Sequence, residues 1–178
     1  KYFESIPAVP KREMILSRLG YRKGITVLDN SDLSQVEEAI QVGGRLCKPA
    51  GAYLFLAIAS LGDREIVLDN GIRFRSQSLS KLLKDSHSVL FMASTVGKEV
   101  TERIFHEVKR GDASKGLIID SVASQTADAT LDWMVNFLDK ILVREGKKLT
   151  RHRYSPGFGD LPLSYQKEIF NALQLERL

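Results

Sequence analysis

Apolar positions along this chain follow two rhythms, and the first is helical. Met14, Ile15, Leu16 and Leu19 share one face between Lys11 and Leu19, and Gly20 offers a stop. Leu33, Val36, Ala39, Ile40 and Val42 mark a second stripe, in a helix capped by Ser31 or Asp32 and running to about Arg45. The pair Gly43-Gly44 blurs its end. Gly97 to Lys109 is amphipathic through Val100, Ile104, Phe105 and Val108, and Gly111 breaks it. A long helix follows from Lys115 to about Gly146. The last begins near Leu163 and carries Ile169, Phe170 and Leu173 on one side.

The second rhythm belongs to strands. Ala52 to Ala59 and Ser88 to Ser94 are short apolar runs that read as buried strands. Between them, Glu65-Ile66-Val67-Leu68 and Ile72-Arg73-Phe74-Arg75 flank Asp69-Asn70-Gly71. This predicts a hairpin in which Asn-Gly supplies the positive φ angles of a tight turn. A short capped helix is expected from Ser78 to Leu83. Helices in runs, rather than in strict alternation with strands, predict an α+β fold and not a doubly wound sheet.

Length and composition narrow the picture. The 178 residues, 43% hydrophobic, suit a single domain, residues 1–178, with a substantial core. No charge-free apolar run reaches the roughly 20 residues of a membrane span. Cys47 is the one cysteine, which excludes an intrachain disulfide and a multi-cysteine zinc site and predicts a reduced, cytoplasmic protein. The net charge of +4 is mild. Seven of the ten residues from Arg144 to Arg153 are Lys, Arg, His or Glu, but no aromatics interleave with them, so a solvated connection is expected and nucleic acid is not.

The most distinctive chemistry lies in Arg153-Tyr154-Ser155-Pro156-Gly157-Phe158-Gly159-Asp160-Leu161-Pro162. Pro156 fixes its own φ and holds Ser155 extended, while Gly157 and Gly159 permit backbone shapes closed to other residues. Such a loop offers peptide groups to a flat ligand while Arg153 grips a carboxylate in bidentate fashion. Without a ligand it reads as a structural turn beside a solvated arginine. The long helix supplies a second pattern. Ser121, Ser124, Gln125, Asp128 and Asp132 gather on one face, opposite Ile119, Val122, Ala123, Thr126, Thr130, Trp133, Met134, Phe137 and Ile141. That face either meets water or lets a ligand approach across its small residues.

Other motifs are set aside. Gly157-x-Gly159 lacks the immediate helix of a dinucleotide fingerprint. His87, His106 and His152 have no metal-ligand spacing. Asp85-Ser86-His87 begins like an Asp-x-His corrinoid-ligating motif, but Leu90 stands where that motif needs glycine. The chain is not expected to carry its own corrinoid.

An arginine, three residues, glycine and an aromatic, then a short run to proline, resembles the signature of the activation domain of cobalamin-dependent methionine synthase. Arg153, Gly157 and Pro162 fit it, and Phe158 replaces the family's tyrosine. The resemblance is clear over the C-terminal third, including the long helix, and looser elsewhere. It implies a curved, mainly antiparallel sheet with packed helices. It also implies S-adenosylmethionine as ligand, met by Arg153, Ser155, Gly157 and Phe158, with Asp128 on the long helix as the acidic contact and Asp132 as the fallback. The implied work is reductive methylation: a flavodoxin or similar donor reduces cob(II)alamin held by a partner methionine synthase, and the methyl group moves from sulfur to cobalt. Alignment alone would drive that step, so no general acid or base is expected here.

Departures accompany the resemblance. Phe158 lacks the tyrosine hydroxyl. The chain stops at Leu178, where the family continues into a strand with another aromatic contact, so the domain is expected to be shortened at its C-terminus. For an N-terminal acidic contact only Glu4 and Glu13 are candidates. Two other functions stay open: a corrinoid-protein docking module that does not bind S-adenosylmethionine, and an independent S-adenosylmethionine-dependent enzyme with a small-molecule acceptor.

Overall fold

The structure is a computed structural model and describes residues 1–27 and 29–178. It is α+β, with a curled antiparallel sheet and packed helices. In chain order the elements are β1 (Tyr2–Phe3), α1 (Arg12–Arg18), α2 (Asn30–Leu46), β2 (Ala50–Leu61), β3 (Glu65–Leu68), β4 (Arg73–Arg75), α3 (Gln77–Leu82) and β5 (Ser88–Thr95). Then come α4 (Lys98–Lys109), α5 (Ala113–Arg144) and α6 (Gln166–Leu173). The chain divides into two compact units: Lys1–Tyr2, Ala52–Ala93 and Phe137–Leu178 form the first, and Phe3–Gly51 with Ser94–Asn136 the second.

The first unit is organised by the sheet, in which β1, β2, β3 and β4 are successive neighbours and β5 also pairs with β2. Alternation along the hairpin buries Ile66, Leu68 and Phe74 and leaves Arg73 and Arg75 exposed. The register places Ile66 opposite Phe74 and Glu65 opposite Arg75. Phe74 meets Phe91 and Tyr165 edge-on, at ring-centroid distances of 5.9 and 4.9 Å. Leu161 and Leu173 complete this core, bringing the C-terminal segment onto the sheet.

The hairpin turn differs in detail from its expectation. Gly71 has φ 87°, but Asn70 does not take a positive φ. Leu68 N donates to Ile72 O and Gly71 N to Leu68 O, each at 2.9 Å. This is a three-residue loop with glycine at the left-handed position, not a two-residue turn.

In the second unit α2, α4 and α5 pack around Ala39, Val100, Ile118, Ile119 and Ala123. Asp29 caps α2 by accepting from Asp32 N, not Ser31 or Asp32 as expected. On α4 the buried positions are Val100 and Glu107, the latter paired with Arg103, whereas Phe105 and Val108 are exposed. The Arg103 pair satisfies the Glu107 carboxylate, which allows an acid at a buried helix position.

Helix α2 continues through both glycines for different reasons. A Cβ on Gly43 would lie 3.0 to 3.3 Å from three carbons of buried Val122, whereas Gly44 has open space around it. Val122 is β-branched and cannot turn aside within a helix. Gly43→Ala is therefore expected to destabilise the protein by about 1–2 kcal/mol, overpacking outweighing the gain in helix propensity. Gly44→Ala is expected to stabilise it by about 0.5–1 kcal/mol. Urea unfolding of the two variants reads the opposite signs directly.

Candidate functional site

The Arg153 loop is a chain of turns. Phe158 N donates to Ser155 O at 3.1 Å, with Pro156 and Gly157 (φ 96°) between them. Proline followed by a positive-φ glycine makes a type II turn. Leu161 N donates to Phe158 O at 3.0 Å, and Gly157 N donates to Leu161 O at 2.8 Å. The Gly157 N–H is thus spent inside the loop.

Both ends of the loop are held by the sheet core. Tyr154 is half-buried against it and Leu161 is buried within it. Gly159 has φ 55°, and a Cβ there would collide with the Tyr154 hydroxyl. Between these anchors Ser155, Gly157 and Phe158 are exposed, as is Arg153 just before them, and Phe158 is 67% exposed. The structure therefore brings four of the expected ligand residues together on one shaped loop. Asp128 is exposed on α5, in the second unit.

The polar face expected on α5 is narrower than the wheel suggested. Ser121 is buried and donates its hydroxyl to Ile15 O at 3.1 Å, so it serves packing between α5 and α1. Thr126 and Thr130 are buried as expected, and each satisfies its hydroxyl on the carbonyl four residues earlier. Met134 is buried as expected, but Phe137 and Ile141, placed on the same side, are partly exposed, and Leu138 and Leu142 are buried instead.

One residue of the loop went unassigned in the sequence. Asp160 Oδ1 accepts from Ser76 Oγ and Oδ2 from Gln77 N, both at 2.6 Å, with Ser78 N at 3.3 Å from Oδ1. These donors hold the Asp160 carboxyl down at about 2. Ser76 also caps α3 by accepting from Leu79 N at 2.9 Å. A cleft of about 470 Å³ adjoins Asp160, lined by Arg64, Glu65, Arg75, Ser76 and Gln77; Arg153 is not among its lining residues. The nearest sequence signal was a short acid beside a glycine in a turn.

Other chemistry is thin. Among the described residues no group of three or more His, Cys, Asp or Glu side chains is placed to hold a metal ion. Burial pushes the half-buried Cys47 thiol up, away from the reactive thiolate. No helix of the described residues is long and apolar enough to cross a membrane.

Comparison with known proteins identifies the fold. The chain is similar to the crystal structure of the MetH reactivation domain bound to AdoHcy, with a TM-score of 0.61 at 12% sequence identity. The match covers 90% of this chain and 64% of that one, so the chain spans less than two thirds of the structure it resembles. No protein-family model matches the sequence. No curated protein matches it either.

Proposed function

We propose that this chain is an S-adenosylmethionine-binding module that supports reductive methylation of cob(II)alamin in a partner methionine synthase. The observation that carries this reading is the likeness of its fold to a reactivation domain holding AdoHcy. The Arg153 loop adds to it, because a type II turn presents a guanidinium, a carbonyl and an aromatic ring from one short segment.

In this reading Arg153 takes the ligand carboxylate through a charge-assisted, bidentate pair. Ser155 and the Gly157 carbonyl face the adenosine, where an exocyclic amine needs an acceptor. The Phe158 ring supplies an apolar wall and a π-face that attracts the sulfonium. Bound S-adenosylmethionine supplies an electrophilic methyl group. The chain's own part is to bind and orient it, which is sufficient where the acceptor on the partner is a strong nucleophile. A flavodoxin-like donor would provide the electron from outside.

Titration calorimetry with S-adenosylmethionine tests this reading. The parent chain is expected to bind, and Arg153→Ala to lose about 1.5–3 kcal/mol, or roughly 10- to 150-fold in affinity. Urea unfolding of both chains separates a loss of affinity from a loss of stability. Absence of binding at millimolar ligand would contradict the proposal and favour a corrinoid-protein docking module.

A further inference from the structure

Six consecutive loop residues, 155 to 160, lie between the anchors Tyr154 and Leu161, and the turn's internal hydrogen bonds fix its shape but do not reach α3. Beyond the core packing of Tyr154 and Leu161 at its ends, what ties the turn to α3 is Asp160. Its two oxygens are occupied by Ser76 Oγ and Gln77 N, with Ser78 N a longer third donor, more than eighty residues away in sequence. Every group bonded to the carboxylate is a donor. The next residue, Leu161, is 4% exposed in the core and returns its carbonyl to Gly157 N.

We propose that Asp160 is a positioning residue, a latch that holds the Ser155–Leu161 turn in the shape presenting Arg153, Gly157 and Phe158 to the ligand. This rests on the reading of that loop as the S-adenosylmethionine site. Three features of the chemistry argue for an aspartate. A carboxylate accepts from all three donors at once, whereas an asparagine would turn an NH₂ group against them. Charge-assisted bonds of 2.6 Å to a hydroxyl and a peptide N–H are at the strong end of protein hydrogen bonds. The low carboxyl pKa keeps the latch ionised well below neutral pH.

The functional consequence concerns order. Released from α3, the turn opens its internal bonds more often and samples many shapes, only some of which set the Gly157 carbonyl and Phe158 beside Arg153. Apparent affinity then falls by the fraction of time spent in the competent shape.

The test combines two variants with two readouts. Asp160→Asn sets an amide against the donors. Gln77→Pro removes the N–H that binds Oδ2 without touching Asp160; Gln77 is the first helical residue of α3, where proline is tolerated, and Ser76 before it is already extended (φ −164°, ψ 123°). Hydrogen exchange of the Gly157 and Leu161 amides is measured in the ligand-free chains, and S-adenosylmethionine affinity by calorimetry. Asp160→Asn is expected to speed exchange and weaken binding about tenfold, and Gln77→Pro to do both to a smaller degree, in chains that retain the parent's circular dichroism.

Unchanged exchange at Gly157 and Leu161 in both variants would overturn the latch, as would faster exchange with unaltered affinity. If Asp160→Asn fails to fold, Gln77→Pro decides alone by the same criteria. If the parent itself does not bind S-adenosylmethionine, the functional reading fails, and with it the ligand role of the latch. Exchange then still reports whether Asp160 orders the turn.

Discussion

Phe74→Ala is expected to destabilise the first unit by about 3–5 kcal/mol, the cost of emptying a large aromatic site in a packed core. Phe74 is 2% exposed, lies opposite Ile66 in the hairpin and touches Phe91 and Tyr165. The neighbour best placed to collapse into the cavity is Tyr165. Its hydroxyl accepts from Arg75 N at 3.0 Å, so moving inward would break that bond. The hole therefore stays largely open, and the cost belongs at the upper part of the range. Phe74→Leu, which refills much of the volume, is expected to cost less than half as much. Urea unfolding measures both, and a loss below about 1 kcal/mol for Phe74→Ala would show that this cluster is not the core it is taken to be.

Gly159→Ala carries the second large effect, about 2–4 kcal/mol. Two terms add. At φ 55° a side chain meets its own backbone, and the new Cβ also collides with the Tyr154 hydroxyl. Tyr154 is half-buried against the sheet core and cannot simply swing aside. Gly146→Ala separates the terms, because Gly146 has φ 69° and a Cβ added there would meet nothing within 4 Å. It is expected to cost only the backbone term, about 1 kcal/mol. Equal losses for the two variants, read from thermal unfolding, would mean that Tyr154 yields freely and that the loop is not tightly shaped.

Not every one of these features is visible from the chain alone. The hairpin was legible because buried Ile66, Leu68 and Phe74 alternate with less buried neighbours across a glycine-bearing turn. The long helix was legible from its apolar period, although its detail was not. Ser121 looks like a surface residue on any wheel, and only the nearness of Ile15 O explains its burial. The stripe of α4 misled at Val108 for a similar reason, since an acid such as Glu107 reads as exposed until its pairing with Arg103 is seen. The two-residue strand β1 is too short to show a period.

The candidate site divides in the same way. The shape of the Ser155–Phe158 turn was legible because proline and glycine dictate a local backbone conformation. Asp160 was not, because what it does depends on Ser76, Gln77 and Ser78, which only the folded chain brings to it. Local constraint is written in neighbouring residues. Long-range constraint is not.

The proposed site requires that S-adenosylmethionine bind on this loop. The most direct test titrates isotope-labelled chain with S-adenosylmethionine and follows the amide resonances of Gly157 and Phe158 and the guanidinium resonance of Arg153. Saturable shifts at all three, lost in Arg153→Ala, are the expected result. Shifts confined to other parts of the chain, or none up to millimolar ligand, would contradict it.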